Sequence, residues 1–294
     1  MPANTKAIRK RIKSVTSTRK ITKTMEMVAT SKLKRAQDAV LSSTPYANLL
    51  LSVMGEVASR VLDRAAFPLL RSAAAPKRTL VFVVTANRGL CGGFNSNLVR
   101  KGRDAVRAEE AAGRTPVVYV AGKKGVAAFR FQEIPVERKF TDLPDRPTYE
   151  DAERLAEALT GPFLAGEVDR VQVVFPDFRS LASQPPTVLT LCPVGGGAPD
   201  GGKRGGASRE FLFEPSPRAI LERLLPLYVR TMVYRVLVSA VASEQIARRA
   251  AMKLATDNAG EMVTSLTRSY NKARQAQITQ EIAEIIGGSE ALKK

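Results

Sequence analysis

The chain has 294 residues, 44% of them apolar but only 6% aromatic and none Trp, which supports a buried core while leaving few of the rings that fill a thick globular interior. Its 46 Lys and Arg against 28 Asp and Glu give a net charge of +18, which points to an acidic partner surface, whether nucleic acid, anionic membrane or acidic protein. No His is present, and this removes the commonest general base, the commonest zinc ligand and every Ser-His or Cys-His nucleophile pair.

Lys6, Arg9, Lys10, Arg11 and Lys13 are not followed by an apolar h-region, so no secretory signal is expected, and no apolar run reaches the ~18 residues of a membrane span. From Thr5 to about Leu41, Ile8, Ile12, Val15, Ile21, Met25, Val28, Leu33, Ala36 and Val40 recur mostly at steps of three and four, which predicts one long helix. Its other faces carry Lys20, Lys23, Lys32, Lys34 and Arg35. Pro45 is expected to kink this helix or to start a second one running to about Leu62. Such a basic helix could supply the salt-dependent part of nucleic-acid binding, but no aromatic residue precedes Tyr46 to stack on bases, which favours a partner-facing or solvated helix.

From Lys77 to about Val194 the pattern changes. Residues 79–84, 117–120 and 171–175 are short, β-branched apolar runs that read as buried parallel strands, with helix-compatible stretches at about 95–112 and 148–164 between them and an edge strand at 187–191. Cys91 and Cys192 lie far apart without CxxC spacing, so neither a zinc knuckle nor a disulfide framework is suggested. The glycines at 195–206 read as a flexible loop. From Pro217 to about Ile286, apolar residues from Leu221 through Val236, Leu254 and Met262 to Ile278, Ile282 and Ile285 predict a second, longer helix. At 1.5 Å per residue it would span about 100 Å against about 60 Å for the first, so it should project beyond its partner.

Few segments could carry chemistry. Residues 84–94 (VTANRGLCGGF) lie where a strand-to-helix turn can cradle phosphate, but Gly89, Gly92 and Gly93 do not make GxGxxG and no Lys-Ser or Lys-Thr pair follows, so a tight turn is the plainer reading. Glu109 with Glu110, and Asp142 with Asp145, sit in charge-rich stretches and read as solvated surface rather than acid/base pairs. Small residues at 239–243 and 247–251 permit close helix approach.

Three motifs, ITKTMEMVA at 21–29, RGLCGG at 88–93 and ATDNA at 255–259, together with YNKARQAQITQE at 270–281, resemble the gamma subunit of F-type ATP synthases. The likeness covers nearly the whole chain, strongly at both ends and weakly through about 100–210. It implies an antiparallel two-helix coiled coil from the terminal segments, 1–62 and 210–294, with a Rossmann-like α/β domain inserted at 76–209. That implies a rotor shaft, non-catalytic and without metal or cofactor, coupling proton flow through a membrane c-ring to ATP synthesis or hydrolysis on three beta subunits among three alpha subunits, and regulating ATPase activity. The implied partners are alpha, beta, epsilon and the c-ring, with no nucleic acid and no small-molecule substrate. The implied location is peripheral, on the cytoplasmic face of a bacterial inner membrane.

Carried over position by position, Met25 and Arg248 would meet the acidic levers of beta, Arg274 and Gln275 would hold its catch loop, and Thr279 would be a further beta contact. Ile282, Ile285 and Ile286 would turn in an apolar sleeve, Phe211 and Glu214 would face epsilon and the c-ring, and Gly89, Gly92 and Gly93 would form a structural turn. Asn87 stands where the family usually has Asp, and only Cys192 lies near the loop in which chloroplast relatives carry a regulatory cysteine pair. Two rival readings remain: a nucleotide-binding α/β enzyme, which would bind or hydrolyse ATP alone, and a basic nucleic-acid-binding coiled coil, whose DNA affinity would fall steeply with salt.

Overall fold

Apolar and small residues at helical spacing carry one unbroken helix, α1, through 56 residues from Thr5 to Arg60. Pro45 lies inside it, exposed, and starts no second helix. Proline cannot donate to the carbonyl of Leu41, and in the preceding turn Ser43 and Thr44 hydroxyls donate to the Val40 carbonyl at 3.0 and 2.7 Å and Ser42 to that of Ala39 at 3.1 Å. The computed structural model describes residues 5–60, 67–73, 75–195 and 216–291; Phe211, Glu214 and the Gly-rich loop beyond Gly195 lie outside these. At the other end α5, Pro217–Ala291, runs 75 residues with Pro226 inside it.

Two compact units divide the chain within these helices, one spanning Ser31–Ala247 and the other formed by residues up to Thr30 with those from Arg248. The larger unit is built on a sheet of β1 (Arg78–Val84), β2 (Thr115–Ala121), β3 (Arg138–Phe140), β4 (Arg170–Pro176) and β5 (Pro186–Cys192), in the order β3-β2-β1-β4-β5. All pairs are parallel except β4 with β5, the expected edge strand. Between the strands lie α2 (Phe94–Ala111), α3 (Lys123–Phe131) and α4 (Tyr149–Leu164); α3 and β3 were not foreseen. The start of α4 is fixed by a capping box in which Thr148 and Asp151 satisfy each other's backbone N–H groups.

Alternate residues of the strands face opposite layers. Leu80, Phe82, Val117 and Tyr119 pack with Leu155 and Leu159 of α4, with Leu50, Met54 and Val57 of α1 and with Leu221, Leu225 and Val229 of α5. Val81, Val83, Val118, Val120 and Val174 pack with Val99 and Val106 of α2 and Phe129 of α3. Both faces are covered, which is why the strands read as continuous apolar runs, each fully buried Val, Leu or Phe contributing about 1.5–3 kcal/mol. An 18-residue stretch of the segment Arg218–Ser289 has mean hydropathy 1.4, enough by length and composition to cross a membrane, which corrects the expectation that no such run exists. More than half of it (56%) is buried within the protein, as core packing requires.

In the smaller unit, α1 and α5 run antiparallel. Thr5 Oγ1 lies 3.4 Å from Gln277 Oε1, Thr256 Oγ1 donates to Thr22 Oγ1 at 2.8 Å, and the Arg19 guanidinium passes over Gly260. The buried seam consists of Thr22, Ala29, Met252, Thr256 and Ala259. Ile21 and Val28, expected in the apolar stripe, are instead 61% and 51% exposed, and Leu254 and Met262 also face outward. Small and polar side chains let the helices approach closely, so the large aliphatic ones are displaced from the seam.

Candidate functional site

The turn after β1 is locked by its own side chains. Asn95 Oδ1 accepts from the Ala86 N–H at 2.9 Å, its amide donates toward Cys91 Sγ at 3.1 Å, and Phe94 N–H donates to the Cys91 carbonyl. Leu90 and Gly92 adopt left-handed backbone at φ 61° and 55°, and Gly93 caps α2. Asn87 accepts from Lys123 N–H at 3.1 Å and donates to the Leu143 carbonyl at 3.3 Å, the second a bond an ionised Asp could not make. Gly122, at φ 91°, is required where β2 crosses this turn, since a Cβ there would sit 2.2 Å from the Thr85 carbonyl oxygen.

In a doubly wound sheet the ligand crevice lies at the strand C-termini where the winding reverses, here between β1 and β4. Helix α5 fills that crevice. Leu237 and Ala240 join the core beneath Val84, and Ala247 packs on the cluster of Ala86, Cys91, Phe94 and Leu98. Ser239 accepts from Phe178 N–H at 2.8 Å and donates to the Pro176 carbonyl at 2.6 Å, pinning α5 to the end of β4. What remains is a cavity of about 50 Å³ bordered by Asn87, Gly122, Leu143, Asp145 and Glu244, far below the roughly 300–1,000 Å³ of a ligand pocket. No cluster of metal-ligating side chains occurs among the described residues.

Glu109 is not the solvated carboxylate expected beside Glu110. It is 3% exposed and accepts from Thr79 Oγ1 at 2.6 Å, from Gln172 Nε2 at 3.1 Å and from Arg114 Nε, with Arg170 at 3.9 Å. Burial alone would push its carboxyl up, but hydrogen bonds from Arg114 and Thr79 and the charges of Arg114 and Arg170 hold it below the usual value. This network joins strands to α2 and has no opening for substrate chemistry. Burial pushes the Cys192 thiol up to about 12, leaving it a poor nucleophile.

The residues singled out for contact lie on the paired helices. Met25 and Arg248 are half-buried, while Arg274, Gln275 and Thr279 are exposed, Thr279 Oγ1 donating to the Gln275 carbonyl at 3.0 Å. Ile278, Ile282, Ile285 and Ile286 are all exposed, at spacings that place them on one face of α5. They, and not a cleft, are the unusual chemical surface of the smaller unit.

The family model described as ATP synthase matches residues 4–292. The chain is 49% identical over 292 residues to the "ATP synthase gamma chain" of Gemmatimonas aurantiaca, with 99% of each chain covered, and 41% identical over 293 residues to that of Leptospira biflexa, again with 99% of each covered. Among solved structures, a chain of the Euglena gracilis mitochondrial ATP synthase in rotational state 3 shares the fold at TM-score 0.66 and 20% identity, over 98% of this chain and 94% of that one. A chain from the Tetrahymena thermophila mitochondrial ATP synthase central stalk and c-ring matches at TM-score 0.60 and 22% identity, over 80% of this chain and 99% of that one.

Proposed function

This chain belongs to the ATP synthase gamma chain family, and on that premise we propose that it is the central rotor shaft of an F-type ATP synthase, linking proton flow through a membrane c-ring to ATP synthesis or hydrolysis on the beta subunits. Its partners are alpha, beta, epsilon and the c-ring, and it works as a non-catalytic part of a membrane-associated complex, on the cytoplasmic face of a bacterial inner membrane. The observation that carries the reading is the row of exposed isoleucines at 278, 282, 285 and 286, an apolar face that a partner must cover.

The shaft acts by differential binding. An asymmetric rod shows a different face to each of three similar beta subunits, and only a difference in contact free energy between their conformations can bias one over another. Met25 and Arg248 meet the levers of beta, Arg274 and Gln275 hold its catch loop with Thr279 a further beta contact, and Ile282, Ile285 and Ile286 turn in an apolar sleeve. The basic side chains attract acidic levers without locking to them, because exposed pairs contribute only about 0–1 kcal/mol. Phe211 and Glu214 face epsilon and the c-ring, and Gly89, Gly92 and Gly93 hold the turn against which α5 is seated. Proposed domain limits are 1–62, 76–209 and 210–294.

Mixing the purified chain with alpha and beta tests this reading. A stable complex that hydrolyses ATP is expected, while the chain alone neither hydrolyses ATP nor retains DNA at physiological salt. Failure to join alpha and beta would overturn it, and micromolar ATP binding by the chain alone, abolished by Gly92→Val, would restore the enzyme reading.

A further inference from the structure

The outer surface of α2 and α3 holds an open cleft of about 350 Å³, walled by Arg103, Val106, Arg107 and Glu110 of α2 and by Gln132 and Ile134 from the turn after α3. Arg103 Nε is buried without a hydrogen-bond partner among the described residues, and its guanidinium approaches its own neighbour Asp104 only at 3.6 Å. The Arg103 side chain as a whole keeps 33% exposure, so its guanidinium can be approached from the cleft that it lines. Arg107, one helical turn along, is exposed.

Next in sequence to Gln132 of the cleft wall, Phe131 is 90% exposed although Phe129, two residues earlier, is fully buried. The turn behind it is strained: Glu133 holds φ 58° where a helix end usually has Gly, while its N–H donates to the Arg130 carbonyl and Ile134 N–H to that of Phe129. Of the residues that line the cleft, Arg103 and Arg107 are basic and only Glu110 is acidic. A basic, partly apolar cleft with an exposed aromatic next to its wall in sequence is the composition of an interface anchor.

We propose that this cleft docks a segment of a partner protein that sets a carboxylate between Arg103 and Arg107 and an apolar side chain against Val106, Ile134 and Phe131. Charge complementarity selects this occupant. A second copy of a chain carrying +18 would be repelled, and Asp104 and Glu110 interrupt the continuous basic track that a nucleic acid backbone needs. The inference rests on the chain being a subunit of an assembled complex.

The test uses the whole purified complex carrying Phe131→p-benzoylphenylalanine, irradiated and mapped by mass spectrometry. One partner chain should be labelled, within a few residues of an Asp or Glu, and Arg103→Glu with Arg107→Glu should lower the yield roughly tenfold. Because Arg103 is partly buried, the exposed Arg107→Glu alone is run beside it and should lower the yield severalfold with an unchanged melting curve. Lysine placed at the labelled partner's carboxylate should restore yield to the Arg107→Glu complex. A complex that assembles and hydrolyses ATP but gives no adduct overturns the docking proposal and leaves the rotor reading standing, as does an adduct indifferent to charge reversal, one between two copies of this chain, or one to nucleic acid.

Discussion

Replacing Glu109 by Gln keeps the size of the side chain while removing its charge and turning an amide donor toward donors. Four groups converge on the carboxylate: the Thr79 hydroxyl, the Gln172 amide and the guanidinium groups of Arg114 and Arg170. Removing one partner of a buried pair costs about 3–5 kcal/mol, and because the Arg114 side chain keeps 21% exposure and can turn to water, about 2–4 kcal/mol is expected here. Hydrogen exchange of the β1 and β4 amides reads this locally, rising roughly thirtyfold to several hundredfold. The exposed neighbour Glu110→Gln should change exchange by less than about 0.5 kcal/mol. Since the folded pKa of Glu109 is lowered from 4.5, its stabilisation is fully present above that value and is lost as pH falls through the folded pKa, so the variants should converge in acid. Asp169, held low by the Arg78 and Lys77 N–H groups, retains its own acid sensitivity in both. Exchange in Glu109→Gln within twofold of wild type at neutral pH would refute the reasoning.

Gly122→Ala forces a Cβ onto the Thr85 carbonyl at positive φ, and a loss above about 2 kcal/mol is expected in thermal or urea melts; a loss under 0.5 would mean that the turn is free to move. Thr22→Val and Thr256→Val, combined in a double-mutant cycle, should show coupling of about 0.5–1.5 kcal/mol in helix-pair stability, and additive effects would count against the seam hydrogen bond. Arg274→Ala with Gln275→Ala should leave melting of the free chain unchanged, because both are exposed, yet lower ATP turnover of the complex about tenfold or more. Wild-type turnover in that variant would remove the catch-loop role.

The strands at 79–84, 117–120, 171–175 and 187–191 were legible because both sheet faces are covered, and a strand buried on both sides writes a continuous apolar run. Nine-residue α3, interrupted by Gly125, and three-residue β3 are too short to impose a period. Glu109 escaped notice because Thr79 and Gln172 reach it from strands distant in the chain, so local charge and spacing alone do not announce its burial. The helix stripe misled in the opposite sense. Hydrophobic periodicity assigns Ile21 and Val28 inward, yet a seam of Thr and Ala brings the helices closer than aliphatic side chains allow. Arg274 and Gln275, proposed as contacts, carry no periodic signal and came from the family likeness alone.

The placement of α5 across the ends of β1 and β4 makes the sheet a receptor whose ligand is its own chain. Ser239 is tied to the end of β4 and Ala247 packs on the turn after β1, and covalent continuity gives this internal ligand an effective concentration no diffusing competitor can match. A crevice sealed in this way cannot be emptied by dilution or competition. The sheet end therefore acts as a fixed clamp on the segment of α5 from Leu237 to Ala247, held by apolar packing and by the two hydrogen bonds of Ser239.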